Sequence, residues 1–75
     1  MNEFVKNDVL AEIGNVKILW IVDKVVNDGY FVASFWDGRI HATSTWMSFR
    51  TAHEFLIKVD EWDDVNKKMK NVEDI

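Results

Sequence analysis

The chain has 75 residues, 48% of them hydrophobic and 13% aromatic, with a formal charge of −4. A single domain of this size buries only about 60–65% of its unfolded surface, so four tryptophans and five phenylalanines are valuable as large buried areas in a small core. The acidic balance argues against affinity gained by neutralising phosphates, and the absence of cysteine excludes a disulfide framework and a thiolate metal site.

The N-terminal stretch MNEFVKNDVLAEIG mixes charges throughout and does not read as a signal peptide. Phe4, Val5, Val9, Leu10 and Ile13 fit one helical face, and Gly14-Asn15 fits a helix stop. The same dipeptide also suits a type II′ hairpin turn, which makes residues 8–13 a strand. The helix is the favoured expectation. Residues 16–26 are dense in β-branched and aromatic types and predict a strand apolar on both faces. Their longest apolar run, VKILWIVDKVV, carries Lys17, Asp23 and Lys24 and is far shorter than a membrane span.

Asn27-Asp28-Gly29 breaks that strand, residues 30–36 form the next, and Asp37-Gly38 marks a tight turn whose two positions take positive φ. A third strand follows from 39 to about 47. Beyond it, Thr51 and Glu54 have the spacing of a capping box. Phe55, Leu56, Val59, Trp62 and Met69 recur at helical spacing, predicting a helix over 52–69. The expected fold is α+β: a three-stranded (or four-stranded) antiparallel meander packed on a long C-terminal helix, with a short N-terminal helix.

The turn at Asp37-Gly38 sets Trp36 opposite Arg39 and Phe35 opposite Ile40. Alternation then collects Phe31, Ala33, Phe35, Ile40, Ala42 and Trp46 on a core face. Tyr30, Val32, Ser34, Trp36, Arg39, His41, Thr43 and Thr45 share the other. If Asp28-Gly29 is a two-residue loop, Val26, Val22, Trp20 and Ile18 join the core face with Lys24 as intruder. A three-residue loop brings Val25, Ile21 and Leu19 there instead, with Asp23 as intruder. A lysine can snorkel where a short carboxylate cannot, so the two-residue loop is preferred. That choice leaves an apolar stripe on the second face for the N-terminal segment, a second copy or a partner to cover.

Little here points to chemistry. His53-Glu54 begins a zinc motif whose second histidine is replaced by Ile57, and only His41 and His53 exist as histidine ligands. Asp23, Ser34 and His41 form a cross-strand trio on the preferred register, but without a Gly-rich elbow they read as a polar ladder. No catalytic residue, metal or cofactor is expected. Tyr30 and Trp36 beside Arg39 and Lys17 would suit stacking of unpaired bases, against the acidic charge. The acidic residues Glu54, Asp60, Glu61, Asp63 and Asp64 are a solvated helix face, or alternatively a patch that imitates DNA phosphates.

The favoured site is a protein-binding face of Tyr30, Trp36, Arg39 and His41, whose residue types match interface cores. In profile alone (short, acidic, aromatic-rich, free of cysteine and proline) the chain resembles phage-encoded inhibitors of host defence, such as anti-CRISPR or anti-restriction proteins. That resemblance implies a cytoplasmic, non-enzymatic inhibitor whose protein partner is a nucleic-acid-handling host protein. A homodimer is a further expectation.

Overall fold

The computed structural model describes residues 3–41 and 45–71. In chain order they form β1 (Asp8–Glu12), β2 (Asn15–Val25), β3 (Gly29–Trp36), β4 (Arg39–Ile40), β5 (Thr45–Ser48), α1 (Phe49–Phe55), β6 (Leu56–Asp63) and β7 (Lys68–Met69). The strands run β4-β3-β2-β1-β6-β7 across one antiparallel sheet, with β5 also pairing along β3. This is a curled half-barrel sheet with one helix of seven residues, and not a meander packed on a long C-terminal helix.

Both expected helices are corrected. The N-terminal segment takes the strand alternative: β1 pairs with β2 around a turn at Ile13-Gly14, where Gly14 has φ +86°. At the other end, Ser48 is the helix cap, and its Oγ accepts the Thr51 N–H at 3.1 Å. Thr51 therefore lies inside α1 and does not start it. The helix ends at Leu56, whose backbone is already extended (φ −119°, ψ 149°). From there β6 pairs with β1, from Glu12 opposite Leu56 to Asp8 opposite Glu61.

A register shift between Val9 and Leu10 interrupts the alternation of β6. Leu56, Asp60 and Trp62 are consequently the buried positions of this strand. A bulge moves one side of a strand out of step. Apolar residues spaced that way imitate one face of a helix.

The β3–β4 hairpin forms as expected. Asp37 and Gly38 have φ of 56° and 77°, and Trp36 faces Arg39 while Phe35 faces Ile40. Ala42 and Thr43 lie outside the described residues. The preceding turn differs. Its loop is Asn27-Asp28, closed by the Val26 N–H donating to the Gly29 carbonyl at 2.9 Å. Gly29 belongs to β3, where a Cβ would collide with the Met47 carbonyl and meet the Trp46 indole Nε1 at 2.8 Å. It is needed for close approach, not for the turn.

The preferred β2–β3 register is also reversed. Leu19 faces Phe35 and Ile21 faces Ala33, whereas Trp20 faces Ser34 and Val22 faces Val32. A bulge between Val22 and Lys24 takes up Asp23 and leaves it exposed. The carboxylate that weighed against this register is removed from the ladder, and the objection with it.

Each face of the sheet carries its own core. On the α1 face, Leu10, Val22, Tyr30 and Val32 are wholly buried with Ala52 of α1, and Phe4, Trp20, Met47 and Phe49 pack around them. On the opposite face, Val9, Ile21, Trp62 and Met69 form a second cluster flanked by Leu19 and Phe35. β3 and β6 are separated by two strands, roughly 14 Å in a flat sheet. The Phe35 and Trp62 ring centroids nevertheless lie 5.5 Å apart, so the sheet curls around this second face.

Candidate functional site

Of the four residues proposed for partner contact, three gather at the tip of the β3–β4 hairpin and one does not. Trp36 is 42% exposed. Its indole stacks on the His41 imidazole with centroids 3.5 Å apart and planes within 6°. Since Trp36 faces Arg39, His41 is its diagonal neighbour on the same side of the ladder. The imidazole Nε2 also hydrogen-bonds the Trp36 carbonyl at 2.8 Å, and the His41 N–H donates to the Ser34 carbonyl at 2.9 Å. Two ring planes and two hydrogen bonds thus fix an exposed aromatic pair on a tight hairpin. Beside it, Asn15, Lys17, Ile18 and Asp37 border with Trp36 an open depression of about 600 Å³.

Tyr30 is in the core. Its side chain is wholly buried, its hydroxyl accepts the Phe4 N–H at 3.0 Å, and it bonds His53 Nε2 at 2.8 Å. Phe49 meets the ring edge-on at 4.9 Å. Burial pushes the phenol pKa above its usual value, against the opposing effect of the Phe4 N–H. A tyrosine here can neither stack a base nor touch a partner.

The residues considered for chemistry are dispersed. Ser34 is buried opposite Trp20, Asp23 sits exposed in the bulge, and the His41 ring is turned onto Trp36. His53 is engaged with Tyr30 and stacks on Phe4 at 4.5 Å. Among the described residues, no group of three His, Cys, Asp or Glu side chains is placed to hold a metal ion.

The five acidic residues form no single helical face. Glu54 is exposed on α1, Asp60, Glu61 and Asp63 are on β6, and Asp64 is in the turn that follows. Asp60 is only 6% exposed, and its Oδ1 accepts the Glu61 N–H and both the backbone and side-chain N–H groups of Asn71 at 2.7–3.0 Å. Lys58 bridges Glu61 at 2.8 Å and Asp8 at 3.1 Å, raising its own pKa. The Lys58 ammonium holds Glu61 below the usual carboxylate range, and the Asn66 amide does the same for Asp63. Asp64 pairs with Lys67 at 3.0 Å. The helical phosphate mimic loses its structural basis.

A surface that sequence reasoning took for core lies on the open face. One row across the sheet runs Ile57, Ala11, Leu19, Phe35 and Ile40, from β6 to β4. Ala11 is buried and Leu19 and Phe35 are half-buried, but Ile57 and Ile40 are 48% and 42% exposed. Above this row a recess of about 170 Å³ has Ile21, Ala33, Ile40 and Trp62 among its walls. Alternation had already put Phe35 and Ile40 on one face; what it lacked was the extent of cover.

No helix among the described residues is long and apolar enough to cross a membrane. No family model, curated protein or solved structure matches the chain.

Proposed function

We propose that this chain is a small, non-enzymatic protein-binding module that acts by covering a surface on a larger protein, as an inhibitor does. The observation that carries the proposal is the exposed Trp36–His41 stack, held rigid on the β3–β4 hairpin. Binding a side chain that is already ordered avoids much of the entropy cost of association, and tryptophan is the residue most often found as an interface anchor. Arg39 on the same side, and Ile40 with Phe35 on the reverse, extend the contact area around both flanks of the hairpin. The polar groups that chemistry would draw on support the same direction, because Asp8, Asp60 and His53 are occupied by structural bonds. A cytoplasmic setting and a nucleic-acid-handling partner belong to this proposal.

The test is affinity capture with the wild type and with Trp36→Ala/Arg39→Ala, followed by calorimetry on each purified captured protein. The double variant should keep the wild-type circular dichroism and lose at least about tenfold in affinity, as loss of an anchor residue does. Equal affinity of the folded double variant for every captured protein would overturn the proposal. Binding of an oligothymidine in place of any protein would also sink it.

A further inference from the structure

We infer that Tyr30, His53 and Phe4 form a pH-sensitive latch that holds the N-terminal segment against the α1-face core while His53 is neutral and releases it when His53 gains a proton. The inference is independent of the binding surface at Trp36. It starts from the hydrogen count at one buried oxygen. The Tyr30 hydroxyl accepts the Phe4 N–H at 3.0 Å, and its own hydrogen must be placed in a site with no exposure to solvent. His53 Nε2, at 2.8 Å, takes that hydrogen only if the nitrogen is unprotonated. The closed arrangement therefore selects the neutral imidazole with its hydrogen on Nδ1.

Adding a proton reverses the logic at Nε2. Both imidazole nitrogens then donate, and the phenol hydrogen faces another donor in a place water does not reach. Histidine is the side chain that gains charge between about pH 8 and pH 5, so the switch lies in an accessible range. Phe4 is the part that moves. Its ring stacks on His53 at 4.5 Å and 14° and meets Tyr30 at 5.7 Å, while its N–H is held by the same hydroxyl.

The chain beyond Phe4 is anchored separately. The Val5 N–H donates to Asp8 Oδ2 at 2.9 Å, and the Asn7 N–H donates to the Val22 carbonyl at 2.8 Å. Release is therefore confined to the residues before Val5, and it uncovers one flank of the α1-face core.

The surrounding charges are mixed. Glu3 of the N-terminal segment and Asp8 of β1 stand near the phenol, with Asp8 bridged to Lys58 at 3.1 Å. On α1 itself, Glu54 follows His53 and Arg50 lies one turn before it. The carboxylates favour a charged imidazole in either state, and Arg50 opposes it. The hydrogen-bond reversal at Nε2 is what distinguishes closed from open.

The experiment is NMR on the full chain at about pH 7.5 and about pH 5, within the histidine titration range. Long-range nitrogen–proton spectra should show His53 Nε2 unprotonated at the higher pH. Protection of the Phe4 amide from water exchange, corrected for the intrinsic pH dependence, should fall by about tenfold at the lower pH as a buried hydrogen bond is lost. Amides of β2 should keep their protection. His53→Gln should give a Phe4 amide that is indifferent to pH, and His41→Gln should leave the wild-type response intact. An Nε2–H tautomer at the higher pH, unchanged Phe4 protection in the wild type, or an equal fall in His53→Gln would each overturn the latch. Should His53→Gln fail to fold, the tautomer and the wild-type pH response decide alone.

Discussion

The two faces of this sheet are built from the same strands and end differently. On the α1 face, Leu10, Val22, Tyr30 and Val32 have no exposure, because α1 and Phe4 close over them. On the opposite face, Val9 and Ile21 are closed over by Trp62 and Met69, while the row from Ile57 to Ile40 reaches solvent at both ends. Strand composition does not set the difference. What sets it is which chain segment returns to each face, and the seven-residue helix is available to only one of them.

The largest effect that probes this contrast is the cost of removing an aliphatic side chain from each face. Leu10→Ala on the closed face should cost about 2–5 kcal/mol, because the transfer energy and the unfilled cavity add. Ile57→Ala on the open face should cost roughly 0.5–1 kcal/mol, since about half of its area already meets water. Urea titrations of the two variants measure both numbers. Costs of similar size would mean that the open face is covered in solution, by a second copy or by another part of the chain.

How much of this was legible depended on whether a signal was local. The β3–β4 hairpin was readable to the residue pair, because Asp37-Gly38 dictates both the turn and the partners of Phe35 and Trp36. Alternation correctly separated Phe35 and Ile40 from Trp36 and Arg39. It failed where a bulge intervened, and bulges have no signature in composition. The bulge at Asp23 reversed which side of β2 joins Phe35, and the one opposite Val9–Leu10 gave β6 the spacing of a helix.

The candidate site divided in the same way. Trp36, Arg39 and His41 were placed by one hairpin, and sequence brought them together. Tyr30 was lost because its environment comes from α1 and the N-terminal segment, which are distant in sequence. Its hydroxyl has buried partners that no local pattern records. The acidic residues dispersed because the helix that would have aligned them is a strand.

A second, smaller effect tests the closed face through pH. Burial raises the pKa of Tyr30 above the ordinary 10.0, so the fold holds the neutral phenol. The unfolded chain ionises first as pH rises, and it then binds fewer protons than the native state. Stability from this group is therefore intact below about pH 10 and is lost as pH rises through the folded pKa. Thermal unfolding followed from about pH 8 to about pH 11 should show a decline that Tyr30→Phe lessens. The same decline in Tyr30→Phe would mean that the phenol is not the titrating group.

The smallest effect on stability belongs to the residue given the largest role in binding. Trp36→Ala removes an indole that is 42% exposed and whose main neighbour, His41, is itself exposed. The backbone bonds of the hairpin do not pass through the indole, so the turn at Asp37-Gly38 and the pairing of Phe35 with Ile40 should persist. A cost of about 1 kcal/mol or less is expected from the lost stack and the half-buried area. Thermal melts supply the stability figure, and cross-strand NMR contacts between Phe35 and Ile40 report on the hairpin. A stability loss as large as that of Leu10→Ala would make Trp36 a structural residue, and its exposure would then carry no argument about partners. A small loss leaves an anchored aromatic pair that the fold does not need, at the tip where a partner would meet it first.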